Sequence, residues 1–130
     1  MPAFRTQTFG KEERISSKIL IDKLFGGGKS RSLVAYPVRL VYMKTERKEP
    51  GEPVASILIS VPKRCFKLAV NRNRVKRQIR EAYRKNKHLV RPAEGEGVAI
   101  AFIWFEKNLL KTSDVERRIV KLLRRMSENL

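Results

Sequence analysis

Cysteine is almost missing from this chain: Cys65 is the only one in 130 residues. That count excludes an internal disulfide and a cysteine-built metal site. Histidine is equally scarce, and His88 stands alone just past a basic segment. Without a nearby partner to orient it, an imidazole reads as a surface or nucleic-acid-contacting group and not as a catalytic base. No apolar run approaches the roughly 18 residues of a membrane-spanning helix, and no charged-then-apolar signal segment opens the chain. A cytoplasmic protein is the simpler expectation. The most telling shortage is of negative charge: 13 Asp and Glu face 30 Lys and Arg, giving a formal net charge of +17 and a pI near 10.7. Folding does not require this excess; a polyanionic partner does.

The few acids are also poorly placed for hydrolysis, which needs a carboxylate cage around metal or a positioned acid and base. Glu12 and Glu13 lie near the start, Glu46, Glu49 and Glu52 in one polar stretch, and Glu94 and Glu96 in another. No catalytic residue and no metal ligand is therefore assigned. The run Gly26-Gly27-Gly28-Lys29-Ser30 lacks the leading glycine of a phosphate-binding loop and follows a helical pattern where such a loop follows a strand. It reads as a helix stop.

What is present describes one domain over residues 1–130. Residues 1–13 lack sustained periodicity and are expected to form a loose arm. Ser16 or Ser17 can cap a first helix whose apolar face is Leu20, Ile21, Leu24 and Phe25. Leu33 to Met43 reads as strand, with Pro37 forcing an edge or a break between two short strands, and with Tyr36, Val38, Leu40 and Tyr42 on one face and Arg39, Val41 and Met43 on the other. Lys44 to Pro53 is expected as an exposed hairpin loop. Val54 to Val61 reads as a strand with one face buried and the other only partly covered. Val98 to Phe105 is apolar throughout and reads as a central strand. The last helix opens at Thr112, Ser113 and Asp114, where Ser113 and Glu116 suit a capping box, and its core stripe is Val115, Ile119, Leu122, Leu123 and Met126. The sum is an α+β sandwich with a sheet of about four strands and three helices.

The organising stretch is Ser60 to Lys87. Val75, Ile79, Ala82 and Tyr83 recur at i, i+4, i+7 and i+8, which sets them on one helical stripe. Turning about 100° per residue puts Asn73, Arg77, Arg80 and Arg84 opposite, with Lys76 and Lys87 beside them. A solvated helix face normally mixes signs, yet between Arg72 and Lys87 the only acid is Glu81. Like charges so close weaken a helix unless a polyanion neutralises them.

The run Ala69 to Arg84, AVNRNRVKRQIREAYR, resembles the signature of the bacterial ribonuclease P protein component family, through Arg72, Asn73, Arg74, Lys76, Arg77 and Arg80. Arg14 to Ser30 resembles the family's opening helix and glycine turn, and Ile57 to Arg64 its strand and lysine-bearing loop. The resemblance implies an α-β sandwich with a left-handed βαβ crossover, a fold shared with one domain of a ribosomal protein. General handedness rules favour the opposite hand, so that feature comes from the resemblance alone. It also implies that a large RNA subunit, with Mg2+, hydrolyses the 5′ leader from precursor tRNA while the basic protein assists.

Two RNA-binding surfaces are expected on this basis. Arg72, Asn73, Arg74, Lys76, Arg77, Arg80 and Arg84 would dock on the catalytic RNA, with Arg14, Arg64 and Lys67 as further phosphate contacts. Ile21, Phe25, Tyr36, Arg39 and Lys63 would line a cleft for the single-stranded leader, where stacking tolerates any base sequence. Two departures from the family pattern stand out. Ile21 occupies a position where many members carry a second phenylalanine, and Cys65, Phe66, Lys67 and Leu68 replace a glycine-containing loop. The main alternative is a noncatalytic basic module, such as a ribosomal protein bracing RNA, which needs no open groove. A DNA-binding basic helix fits less well, because no heptad zipper or helix-turn-helix spacing accompanies it.

Overall fold

Strand burial in the computed structural model, which describes residues 24–26, 30–46 and 54–130, alternates from Val38 to Tyr42 and is continuous from Gly97 to Phe102. β1 (Arg31–Ala35) and β2 (Val38–Glu46) form a hairpin closed by Tyr36 and Pro37, whose connecting peptide bond is cis. The break expected at Pro37 is thus a two-residue turn, and Tyr36 sits in it instead of on the strand face with Val38. β3 (Ala55–Ser60) and β4 (Glu96–Trp104) complete a four-stranded sheet in the order β1-β2-β4-β3. β4 runs antiparallel to β2 and parallel to β3. The hairpin expected across Lys44 to Pro53 is not formed, because β4 lies between β2 and β3. Physics favours that insertion: the strand that is apolar on both faces takes the position where both neighbours and both faces exclude water.

β3 leads into α1 (Ala69–Asn86), a 3-10 turn (Lys87–Leu89), then β4 and finally α2 (Thr112–Glu128). Leu24, Phe25 and Gly26 are helical, where the sequence predicts the close of the first helix. The expectations for Arg14, Leu20, Ile21 and the arm at residues 1–13 fall outside the described residues, as does the loop centre at 47–53.

One face of the sheet makes the main core. Val38, Leu40 and Tyr42 of β2, Ala55 and Ile57 of β3, and Val98, Ile100, Phe102 and Trp104 of β4 meet the apolar stripes of both helices. Val75, Ile79, Ala82 and Tyr83 come from α1, and Val115, Ile119, Leu122, Leu123 and Met126 from α2, as their spacing predicts. Each large side chain buried there contributes about 1.5–3 kcal/mol against the entropy of ordering the chain. Polar pins fix the helices to each other. Gln78 Nε2 donates to Leu110 O at 3.1 Å and to Thr112 Oγ1 at 3.2 Å, and Asn86 Nδ2 donates to Glu116 Oε2 at 3.1 Å. That last bond explains why the expected capping box is missing: Lys111 is the N-cap, no side chain caps the helix, and Glu116 turns toward α1 instead.

Candidate nucleic-acid interface

α1 buries one edge and leaves cations on the other. Asn73, Arg74, Arg77 and Arg80 are exposed, and Lys76 is half-buried at the flank. Among the described residues Arg74 and Arg77 have no hydrogen-bond or ion-pair partner, so their guanidinium groups are available for bidentate bonds to phosphate. Arg84 is differently placed, forming an ion pair with Glu81 one turn back on the same helix. The hydrogen bond from Arg84 holds the Glu81 carboxyl below the usual carboxylate range. The helix's one acid is therefore neutralised internally, and its outward field stays positive.

Arg72 has a second job. Its Nη1 donates to Phe66 O at 2.7 Å and to Lys67 O at 3.0 Å, tying the first turn of α1 to the loop before it. The structure supplies the reason for the composition of that loop. Cys65 and Phe66 are buried in the main core, and Cys65 Sγ lies 3.8 Å from Trp104 O. Lys63, Arg64, Lys67 and Leu68 between and around them are exposed. The apolar pair anchors the loop while its cations stay in water beside α1.

The second face of the sheet has a different character. Register sets Val34, Arg39, Ile103 and Ser60 in one row, Ser32, Val41, Ala101 and Leu58 in the next, and Met43, Ala99 and Ser56 in a third. The centre of this face, Met43, Ala99 and Ala101, is buried, and exposed Ser32, Val34 and Arg39 lie toward its β1 side. Leu24 packs on Met43, Ala99 and Ala101, and it is the residue from outside the sheet in that cluster. Its neighbour Phe25 is 49% exposed, placing an aromatic ring beside the face. Arg39 is exposed on the last row, and Tyr36 and Lys63 lie beyond that row at the same end of the sheet. Tyr36 and Arg39 thus lie at one end of this face and Phe25 beside its middle rows, while α1 stands on the opposite side and Lys63 lies in the loop that leads to it. His88 is an exposed member of the 3-10 turn that directly follows α1.

Three residues at this end escaped sequence reasoning. Phe105 lies next to Tyr36 with ring centroids 5.1 Å apart and planes at 80°, an edge-to-face contact. Glu106 accepts a hydrogen bond from the Tyr36 hydroxyl, and Arg118 Nε donates to Tyr36 O at 3.1 Å. The bond to Glu106 holds the Tyr36 phenol above its ordinary range and the Glu106 carboxyl below the usual one. The only sequence signal was the aromatic-acid step Phe105-Glu106 just after the central strand.

Chemically, the site has cations and aromatic rings but no acid cluster. Among the described residues no three His, Cys, Asp or Glu side chains come together, and no helix is long and apolar enough to cross a membrane. The profile of the family described as Ribonuclease P matches residues 9–127. A ribonuclease P protein component of Porphyromonas gingivalis is 41% identical over 128 residues, covering 95% of this chain and 90% of that one. The solved RNase P protein of Thermotoga maritima is 23% identical with a TM-score of 0.66, over 87% of this chain and 96% of that one. A Staphylococcus aureus RNase P protein mutant gives 21% and 0.67, over 91% and 90%. Those two likenesses concern the fold, which agrees in its α+β class. The sequence match spans the basic helix, the sheet and both surfaces, and on it the chain belongs to the ribonuclease P protein component family, the protein subunit of a ribonucleoprotein endoribonuclease.

Proposed function

We propose that this chain holds the catalytic RNA with the outer face of α1 and receives the single-stranded 5′ leader of precursor tRNA along the exposed margin of the sheet's second face. Arg74, Arg77 and Arg80 meet phosphates of the RNA subunit, with Asn73 and Lys76 at the margin and Arg64 and Lys67 extending the track. Arg72 and Arg84 shape this face, one by fastening the loop and the other by neutralising Glu81. Phe25 and Tyr36 stack on leader bases, and Arg39 and Lys63 balance the strand's charge. Hydrolysis and the Mg2+ it uses belong to the RNA subunit, and the assembly works in the cytoplasm. Four of the described acids are engaged elsewhere: Glu81 pairs with Arg84, Asp114 with Arg117, Glu106 holds Tyr36 and Glu116 holds Asn86.

One observation carries this reading. The sheet has a fully packed face under two helices and a second face whose centre at Met43, Ala99 and Ala101 is buried with Leu24 and whose margin carries exposed aromatic and cationic groups. A protein that only braced folded RNA has no use for that second surface. The test is reconstitution with a bacterial ribonuclease P RNA at low magnesium, assaying leader removal. Added protein should restore cleavage, and Phe25→Ala should weaken binding of leader-bearing precursor without changing affinity for the RNA subunit. Absence of rescue by a folded protein rejects the proposal.

A further inference from the structure

The contacts around Tyr36 are more elaborate than a surface tyrosine needs. The residue is 57% exposed, yet three separate groups restrain it. The hydroxyl donates to Glu106 Oε2, the ring packs at right angles on Phe105, and the backbone carbonyl receives Arg118 Nε from α2. Glu106 is itself fixed. Its Oε1 accepts the Lys107 backbone N–H at 2.7 Å, and its carbonyl accepts Trp104 Nε1 at 2.6 Å. Trp104 is fully buried, so the carboxylate is referenced to the core through a chain of short contacts. Phe105 continues the ladder of β4 by donating its N–H to Pro37 O at 3.0 Å, and alternation from buried Trp104 turns it toward the second face.

We propose that Glu106 is a positioning residue of the leader-binding face, gripping the Tyr36 hydroxyl so that the ring is already set to stack on an unpaired base of the leader. This rests on the reading given under Proposed function. A ring that is free to rotate must be frozen when a base lands on it, whereas one held beforehand has already lost that freedom. The difference amounts to about two- to tenfold in affinity for one side chain. The grip is also compatible with an anionic ligand, since the carboxylate is occupied by the phenol and a backbone N–H and points its charge into the turn.

The test uses the full chain assembled with the RNA subunit, comparing affinity for precursor tRNA with that for mature tRNA to isolate the leader's share. Tyr36→Ala should remove most of the contribution made at this turn. Tyr36→Phe and Glu106→Ala should each reduce leader-dependent affinity by roughly two- to tenfold, and the double variant should be no weaker than either, because both cut the same bond. Glu106→Gln, whose amide still reaches the hydroxyl, should recover most of the loss. Affinity for the RNA subunit should stay unchanged in Glu106→Ala and Glu106→Gln, because Glu106 lies outside the outer face of α1.

A second readout needs no RNA. The ionisation that Tyr36→Phe removes from an absorbance titration of the free protein is that of Tyr36, and it should move down in Glu106→Ala. An unmoved titration overturns the proposal. So does a Tyr36→Ala loss with Tyr36→Phe and Glu106→Ala both unaffected, which leaves the leader reading intact. If Tyr36→Ala changes nothing, the leader does not touch this turn and the positioning role falls with it.

Discussion

Arg72 and Arg74 sit two residues apart in one basic motif but carry different loads. Arg72 bonds two carbonyls of the preceding loop, and Arg74 points into solvent. Arg72→Ala should therefore lower stability of the protein alone by about 1 kcal/mol, a drop of several degrees in Tm by thermal denaturation. Arg74→Ala should leave Tm within experimental scatter and act only on RNA affinity. Sequence placed both in one functional class because arginine spacing does not reveal which guanidinium finds a backbone oxygen. The Tyr36–Glu106 contact has its own pH window. Glu106 is held below the usual carboxylate range, so the contact's contribution is present above that range and fades as pH falls through the lowered value. Tyr36 is held above the ordinary tyrosine range, so the contribution is complete below that range and fades as pH rises through the raised value. Leader-dependent affinity should accordingly be flat across neutral pH in wild type, and a titration of Tyr36 inside the neutral range would contradict the contact.

At the scale of elements, α1 is the piece whose two sides can be separated by mutation. Ile79 is fully buried in the main core, and Ile79→Ala should destabilise by about 2–5 kcal/mol, measured by denaturant unfolding. Arg77→Glu should leave stability nearly unchanged while sharply weakening assembly with the RNA subunit. About five phosphate contacts on this face imply a slope of log affinity against log salt of roughly −3.5 to −4.5, and Arg77→Glu should make it shallower by about one contact's worth. The helix was legible in advance because its apolar stripe and its charge imbalance have the same period and lie on opposite sides. β4 was legible for a similar reason, since a strand without polar positions has to be central. The capping box was not. Ser113 and Glu116 have the right spacing, but Asn86 competes for that carboxylate from another helix, and sequence spacing carries no information about a neighbour 30 residues away. The pairing of β2 with β4 was hidden too, because sequential strands with a polar connection look like a hairpin whether or not a third strand enters between them.

For the whole molecule, the sheet acts as a partition. The helices and their cations lie on its packed side, and Phe25, Arg39 and the Tyr36 turn edge the other. A net charge of +17 draws RNA to the entire surface, so total affinity alone does not say which side is engaged. Independence does, because perturbations that share no partner add in free energy and those in one network do not. Phe25→Ala should weaken leader-bearing precursor and spare the RNA subunit, Arg77→Glu should do the reverse, and the double variant should show the sum of the two losses. Measured at several salt concentrations, the Arg77→Glu loss should shrink as salt rises, since counterions then screen the same phosphates, while the Phe25→Ala loss should hold nearly constant because stacking carries no net charge. A double variant departing from the sum by much more than about 0.5 kcal/mol would mean that one RNA surface spans both sides of the sheet, and the two-surface account would have to be abandoned.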